Sequence, residues 1–206
     1  MSDVLISIQP KWCAMILNGT KTIEVRKTAP KSKPPFRCYI YCTKSGRPLV
    51  YGDRPCAGGW TEEYCQTYGY SREEAERIWG VMNGHVIGEF ICDGIQEITY
   101  IDDGEHQHYQ WLNAPAWAYF LDRKACLNDE ELKKYLGKTG GFGWHITDLK
   151  IYDKPKPLTS FHRPCPEGLY CESCAMHNEH PVPHCGNYAL EIRRAPQSWC
   201  YAEDQT

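Results

Sequence analysis

Every run of alternating apolar and polar residues in this chain is short, and no regular succession of helices separates one run from the next. Residues 4–8, 22–26, 36–43, 85–93, 96–101, 144–152 and 188–193 each read as a β-strand with one buried face. A doubly wound parallel sheet needs a helix in each crossover, and that alternation is missing. The pattern predicts an α+β chain built as a small mixed or antiparallel barrel with connecting helices, a form that takes ligands at its mouth.

Three segments carry helix signatures. Pro10 opens the first, residues 11–18 put Trp12, Met15 and Ile16 on one face, and Gly19 stands where a helix stop needs positive φ. Ser71 with Glu74 forms a capping-box signature ahead of Ala75, Ile78 and Trp79, and Asn128 with Glu131 forms a second one for a helix ending at Gly137. Between the strands, 28–35 and 47–59 read as loop and irregular insertion. The polar, aromatic, histidine-bearing stretch 102–117 reads as a long loop over the barrel rim. Strands 85–93 and 96–101 are expected to pair in the core sheet, 144–152 to be interrupted at Pro155 and Pro157, and 188–193 to close the sheet. Beyond it, Trp199 would anchor the tail by apolar packing.

A chain of 206 residues, 42% hydrophobic, supports one sizeable core, so a single domain over 1–206 is expected. Its net charge of −3 offers no global attraction to nucleic acid, so any such contact must be local. No stretch approaches the roughly 18 apolar residues that span a bilayer, and residues 1–10 lack a basic region followed by a long apolar run. A soluble, cytoplasmic monomer is the expectation.

Residues Ser7-Ile8-Gln9-Pro10, followed by Ile16-Leu17-Asn18-Gly19-Thr20-Lys21-Thr22-Ile23-Glu24-Val25-Arg26, resemble the signature of ASCH domains. That signature is a strand, a helix ending in Asn/Asp-Gly, then Lys-Thr-x-Glu-x-Arg. His85-Val86-Ile87-Gly88-Glu89-Phe90 and Trp144-His145-Ile146 are similar to later strands of the same family, so the resemblance spans most of residues 4–152. It implies a PUA-like barrel whose cleft is lined by the motif lysine, its polar neighbours and the arginine. Proteins of this kind occur in bacterial and prophage genomes. Some members are amidohydrolases that deacetylate N4-acetylcytidine, and others have ribonuclease or RNA-binding roles. In the amidohydrolases the motif reads Lys-Thr-x-Thr-x-Arg and its second threonine is the nucleophile. Here Glu24 stands at that position, and a carboxylate does not replace a hydroxyl nucleophile in that mechanism.

Alternation along a strand puts Glu24 and Arg26 on one face, with Lys21 at the preceding turn. Together with Gln9 they make a candidate site. The cations suit phosphate or carbonyl oxygens, while Glu24 suits a base amino group or acts as a general base, with Thr22 or water as nucleophile. The plainer alternative is an exposed ion pair beside a solvated lysine, contributing tenths to about 1 kcal/mol. Trp144 and His145 follow a glycine-rich turn and are read either as base-stacking residues at the mouth or as core. Two functions stay open: binding of RNA or a modified nucleoside, and hydrolysis of RNA or an acylated nucleoside.

Twelve cysteines are many for a chain of this length. Cys38, Cys42 and Cys92 fall in apolar strand runs and read as reduced thiols. Cys165, Cys171, Cys174 and Cys185 follow a C-x5-C-x2-C-x10-C pattern within 160–187, among His162, His177, His180 and His184. That segment is too poor in apolar residues to fold by burial, so a structural zinc ion on the four cysteines, one of them replaceable by histidine, is expected to staple it. Free or disulfide-linked cysteines and a catalytic zinc are the alternatives, and a zinc-stapled protein-interaction module is a third functional reading. Elemental analysis should find zinc in the purified protein. Cys171→Ser should lose it and melt lower, and a metal-free parent with the same melting point would dismiss the staple.

Overall fold

Val4, Leu5, Ile6 and Ile8 are all buried, so β1 (Asp3–Ile8) is apolar on both faces and takes an inner place in a sheet, where its pattern predicts one wet face. The computed structural model describes residues 3–44, 82–105, 107–111, 115–118, 120–165 and 188–205. In it, β1 runs parallel to β3 (Phe36–Cys42) and antiparallel to β10 (Trp199–Asp204). Outward from β3 follow β4 (His85–Cys92) and the edge strand β8 (Thr147–Pro157), and beyond β10 lies the short β9 (Phe161–His162). A second sheet holds β2 (Ile23–Arg26), β7 (Gly141–His145), β5 (Ile95–Asp102) and β6 (Gln107–Trp111) in that order. The α-helices among the described residues are α1 (Pro10–Leu17), α2 (Leu121–Ala125) and α3 (Asp129–Leu136). This is a mixed α+β half-barrel.

Strand alternation sorts the apolar residues into three layers. Val4, Ile6, Cys38, Ile40 and Phe90 join Trp144 and α1 in an interior between the two sheets. Leu5, Tyr39, Tyr41, Val86 and Phe161 form a second core on the far face of the six-stranded sheet. Ile23, Val25 and Ile98 pack outward against Leu121, Leu132 and Leu136 of α2 and α3. One face of β2 therefore buries against helices, and its other face, carrying Glu24 and Arg26, turns to the interior.

The sheets meet at one corner. β4 passes into β5 across Asp93 and Gly94, and β7 passes into β8 across Ile146. The two crossings lie side by side, with Ile91 opposite Thr147 before the corner and Ile95 opposite Trp144 after it. His145 N donates to Gly94 O at 2.9 Å, and Thr147 Oγ1 donates to Ile91 O at 2.9 Å. The expected pairing of 85–93 with 96–101 is thus corrected. The two strands lie in different sheets, because Asp93-Gly94 bends the chain without reversing it.

Other elements differ from expectation for similarly local reasons. The predicted loop 102–117 contains β6, an edge strand whose Tyr109 packs on Tyr100 at 5.4 Å and donates its hydroxyl to Gly137 O at 2.8 Å. The strand predicted at 144–152 divides at Ile146. Its second part runs on through Pro155 and Pro157, which an edge strand tolerates because one row of its N–H groups has no partner strand to bond. At 188–193 there is a 3-10 turn and an isolated bridge from Glu191 to His162, and Ile192 enters the core. β10 takes the closing place instead, since Trp199 and Tyr201 fill one core and Cys200 and Ala202 the other, as an inner strand requires. In α1 the buried face is Pro10, Cys13, Ala14 and Ile16, with Trp12 and Met15 half-buried. The capping box on α3 forms as predicted: Glu131 N donates to Asn128 Oδ1 at 2.9 Å and Asn128 N donates to Glu131 Oε2 at 3.1 Å. The helix predicted over 71–79 lies outside the described residues. Among those described, no helix is long and apolar enough to cross a membrane.

Gly88 sits where β4 and β8 shift register, and a Cβ there would stand 2.5 Å from Lys150 O. Backbone cannot swing aside as a side chain can, so Gly88→Ala should destabilise the fold by about 1–3 kcal/mol. A urea midpoint unchanged from the parent would mean that the β4–β8 register relaxes freely.

Candidate functional site

Arg26 and Glu24 point into the interior from β2, directly across from Phe142 and Trp144 of β7. Lys21 reaches them from the turn after α1. That turn is pinned by Gly19, at φ 76°, donating to Ile16 O, and by Lys21 N donating to Met15 O at 2.9 Å. Thr22 continues the anchoring through its backbone, donating to Lys124 O and accepting from Ile146 N, each at 2.9 Å. The strand then starts in a fixed register.

The three charged side chains form one buried cluster. Glu24 Oε1 lies 3.0 Å from Arg26 Nη2, and Glu24 Oε2 lies 3.4 Å from Lys21 Nζ. Lys21 Nζ also donates to Ala125 O of α2 at 2.6 Å, and Arg26 Nη2 donates to Ser7 O of β1 at 2.6 Å. Lys21 is 3% exposed and Glu24 and Arg26 are 6% exposed, so the reading of an exposed surface ion pair is corrected. Trp12 flanks the cluster with Lys21 Nζ 5.3 Å and Lys11 Nζ 4.2 Å from its ring centroid. Tyr135 of α3, more than a third exposed, lies near Arg26, and burial pushes its phenol upward.

Magnitudes decide what such a cluster is for. At these distances each ion pair is worth about 5 kcal/mol with an effective dielectric near 20, while desolvation costs several kcal/mol per ion. The terms nearly cancel, so the cluster contributes little net stability. Two cations to one carboxylate leave a net positive charge. Glu24 Oε2, Arg26 Nε and, on the facing strand, Trp144 Nε1 are buried without a hydrogen-bond partner among the described residues. Of these, Glu24 Oε2 keeps its ion-pair contact with Lys21.

The remaining expected residues separate from this cluster. Trp144 takes the core alternative. Its ring is fully buried, 5.9 Å from Phe36 and 6.0 Å from Trp199, which serves as the predicted apolar anchor. His145 points to the other face of β7, where its Nδ1 lies 2.7 Å from Asp93 Oδ1 at the sheet corner. Gln9 is exposed and caps α1 through its backbone carbonyl. Ser7, Tyr135 and the carbonyl of Ala125 were not singled out from the sequence. Ser7 had a signal in the first motif, and Tyr135 had a weak one as an aromatic beside Lys133 and Lys134, off the Leu132–Leu136 stripe.

Burial pushes the thiols of Cys13 and Cys38 well above the ordinary range and that of Cys92 to about 12, so these cysteines are inert reduced thiols. Of the four expected zinc ligands only Cys165 lies among the described residues, as do His108 and Glu105 but not His106 of the rim segment. No group of three or more potential metal ligands is found among the described residues.

No family model and no curated protein matches the chain. Solved structures to which it is similar include that of an ASCH protein from Zymomonas mobilis, at 16% identity and a TM-score of 0.48, with 98% of this chain and 88% of that chain covered. Two mutants of an ASCH protein from the same organism match with the same TM-score, at 15% and 16% identity, covering 99% and 100% of this chain and 90% and 93% of theirs. A likeness of that extent decides neither substrate nor activity.

Removing the carboxylate isolates the question of charge. Glu24→Gln should cost about 3–5 kcal/mol by leaving two buried cations facing each other. Adding Lys21→Met should recover part of that loss. Additive costs in urea denaturation would show that the three groups are not electrostatically coupled.

Proposed function

We propose that this chain is an ASCH-type, PUA-like module that binds RNA or a modified nucleoside at the Lys21–Glu24–Arg26 cluster. The supporting observation is the cluster's composition: a buried net positive charge in which Arg26 Nε makes no hydrogen bond among the described residues and Glu24 Oε2 has only its ion-pair contact with Lys21. A base edge that offers an amino group next to a ring nitrogen or carbonyl, as cytosine and adenine do, would satisfy both atoms at once. Lys21 adds a charge for a carbonyl or phosphate oxygen. Sequence resemblance points the same way through the Lys-Thr-x-Glu-x-Arg motif.

Binding fits these residues better than turnover. The ammonium of Lys21 is engaged by Ala125 O and Glu24, and Thr22 precedes β2 with both backbone groups bonded. A structural zinc on Cys165, Cys171, Cys174 and Cys185 is part of the proposal and lies apart from the cluster in sequence.

Parent protein and Lys21→Met, each incubated with total RNA digests and a nucleoside panel that includes N4-acetylcytidine, would test this by chromatography and mass spectrometry. Retention without conversion, weakened about tenfold or more in the variant, is expected for loss of a charged hydrogen bond. Conversion that disappears in the variant would establish a hydrolase instead. If neither protein retains or converts any nucleoside, the cluster is not a ligand site.

A further inference from the structure

Phe120 is the most exposed large apolar side chain among the described residues, at 67%, and it also sits in the left-handed region at φ 64° and ψ 54°. A bulky residue adopts that conformation only at a cost, and a bare phenyl ring gains nothing from burial. Glycine at this helix boundary would serve folding better on both counts. An outlier that does not serve folding points to a function.

Its surroundings specify which one. The Arg123 guanidinium lies 5.7 Å from the Phe120 ring centroid, so an exposed ring and an exposed cation form a pair. Single-stranded nucleic acids are held by this combination, bases stacking on aromatic faces while cations follow the backbone. Both residues belong to the short segment whose Ala125 carbonyl receives Lys21. Five residues of helix separate Phe120 from Ala125 by roughly 7.5 Å, about two steps of a stacked strand at about 3.4 Å each. Charge agrees as well. Segments 10–27 and 120–139, joined by the Lys21–Ala125, Thr22–Lys124 and Lys11–Glu131 contacts, hold nine lysines and arginines against five acids in a chain of net charge −3.

We propose that Phe120 and Arg123 form a stacking step for a nucleotide about two steps along the strand from the one held by Lys21, Glu24 and Arg26, so that the ligand is single-stranded RNA rather than a free nucleoside. This rests on the reading of the cluster as a nucleotide site. It assigns recognition of the flanking nucleotide to α2.

The test uses the full chain, a fluorescein-labelled mixed-sequence oligoribonucleotide read by anisotropy, and free cytidine and adenosine read by equilibrium dialysis. Phe120→Gly should weaken RNA binding about 5- to 150-fold, the worth of one stacked base. Nucleoside retention should stay as in the parent, and melting should be unchanged or later because glycine relieves the backbone. Phe120→Trp should keep RNA affinity within about threefold. Phe120→Gly with RNA affinity within twofold of the parent overturns the proposal, and so does parallel loss of nucleoside retention. A parent that retains nucleosides but does not bind RNA overturns the stacking step and leaves the cluster standing. RNA binding that depends on Phe120 but survives Lys21→Met removes the cluster from the nucleotide site, and the two-step spacing with it.

Discussion

The guanidinium of Arg26 spans the gap between the two sheets. It leaves β2, donates to Ser7 O on β1, and is held in place by Glu24 two residues earlier on its own strand. Ser7 is in turn fixed to the C-terminal segment: its N–H donates to Ser198 O at 2.9 Å and its hydroxyl to Pro196 O at 2.7 Å. The first motif, the second motif and the chain's last strand therefore meet at one cation. Few alternatives would serve. An apolar residue would leave Glu24 buried beside Lys21 alone and Ser7 O without its donor.

That cation needs a rigid floor, and the glycine-bearing β7 supplies it. Trp144 stands directly opposite Glu24 and fills the interior between Phe36 and Trp199. On the other face, the approach of Trp111 to Gly143 is closer than a Cβ would permit. The same strand presses a tryptophan into the interior and accepts another from outside. Its position fixes β2, and with β2 the spacing of Glu24 and Arg26.

Local chemistry was legible in the sequence and sheet membership was not. The α3 capping box, the Gly19 and Gly137 stops and most strand positions follow from residue type and spacing, because caps, positive-φ sites and alternation are settled within a few residues. Alternation reports that a strand has a buried face without saying which sheet owns it. Strands 85–92 and 95–102 look like a hairpin until Asp93-Gly94 proves to be a corner, and 188–193 alternates as cleanly as the 199–204 segment that displaces it. The cluster was legible in its members but not in its burial. Spacing put Glu24 and Arg26 on one face, yet only the packing of Ile23 and Val25 against α2 and α3 tells which face that is. Phe120 had no sequence signal at all, since an aromatic before a short helix is ordinary until its φ is known.

The identity of residue 24 governs what the cluster can hold. A hydroxyl at this position, as in the deacetylase form of the motif, would leave Lys21 and Arg26 as two buried like charges that invite a strongly anionic group or an oxyanion between them. Glu24 neutralises one of the two and occupies the space between them, at 3.4 Å and 3.0 Å from the respective nitrogens. What remains is a weakly positive site whose carboxylate is engaged by both cations. Such a site favours a polar, nearly neutral edge with its own donor over an anion. Residue 24 thus sets the charge balance of the cluster, and the same fold can carry different chemistry when one side chain differs.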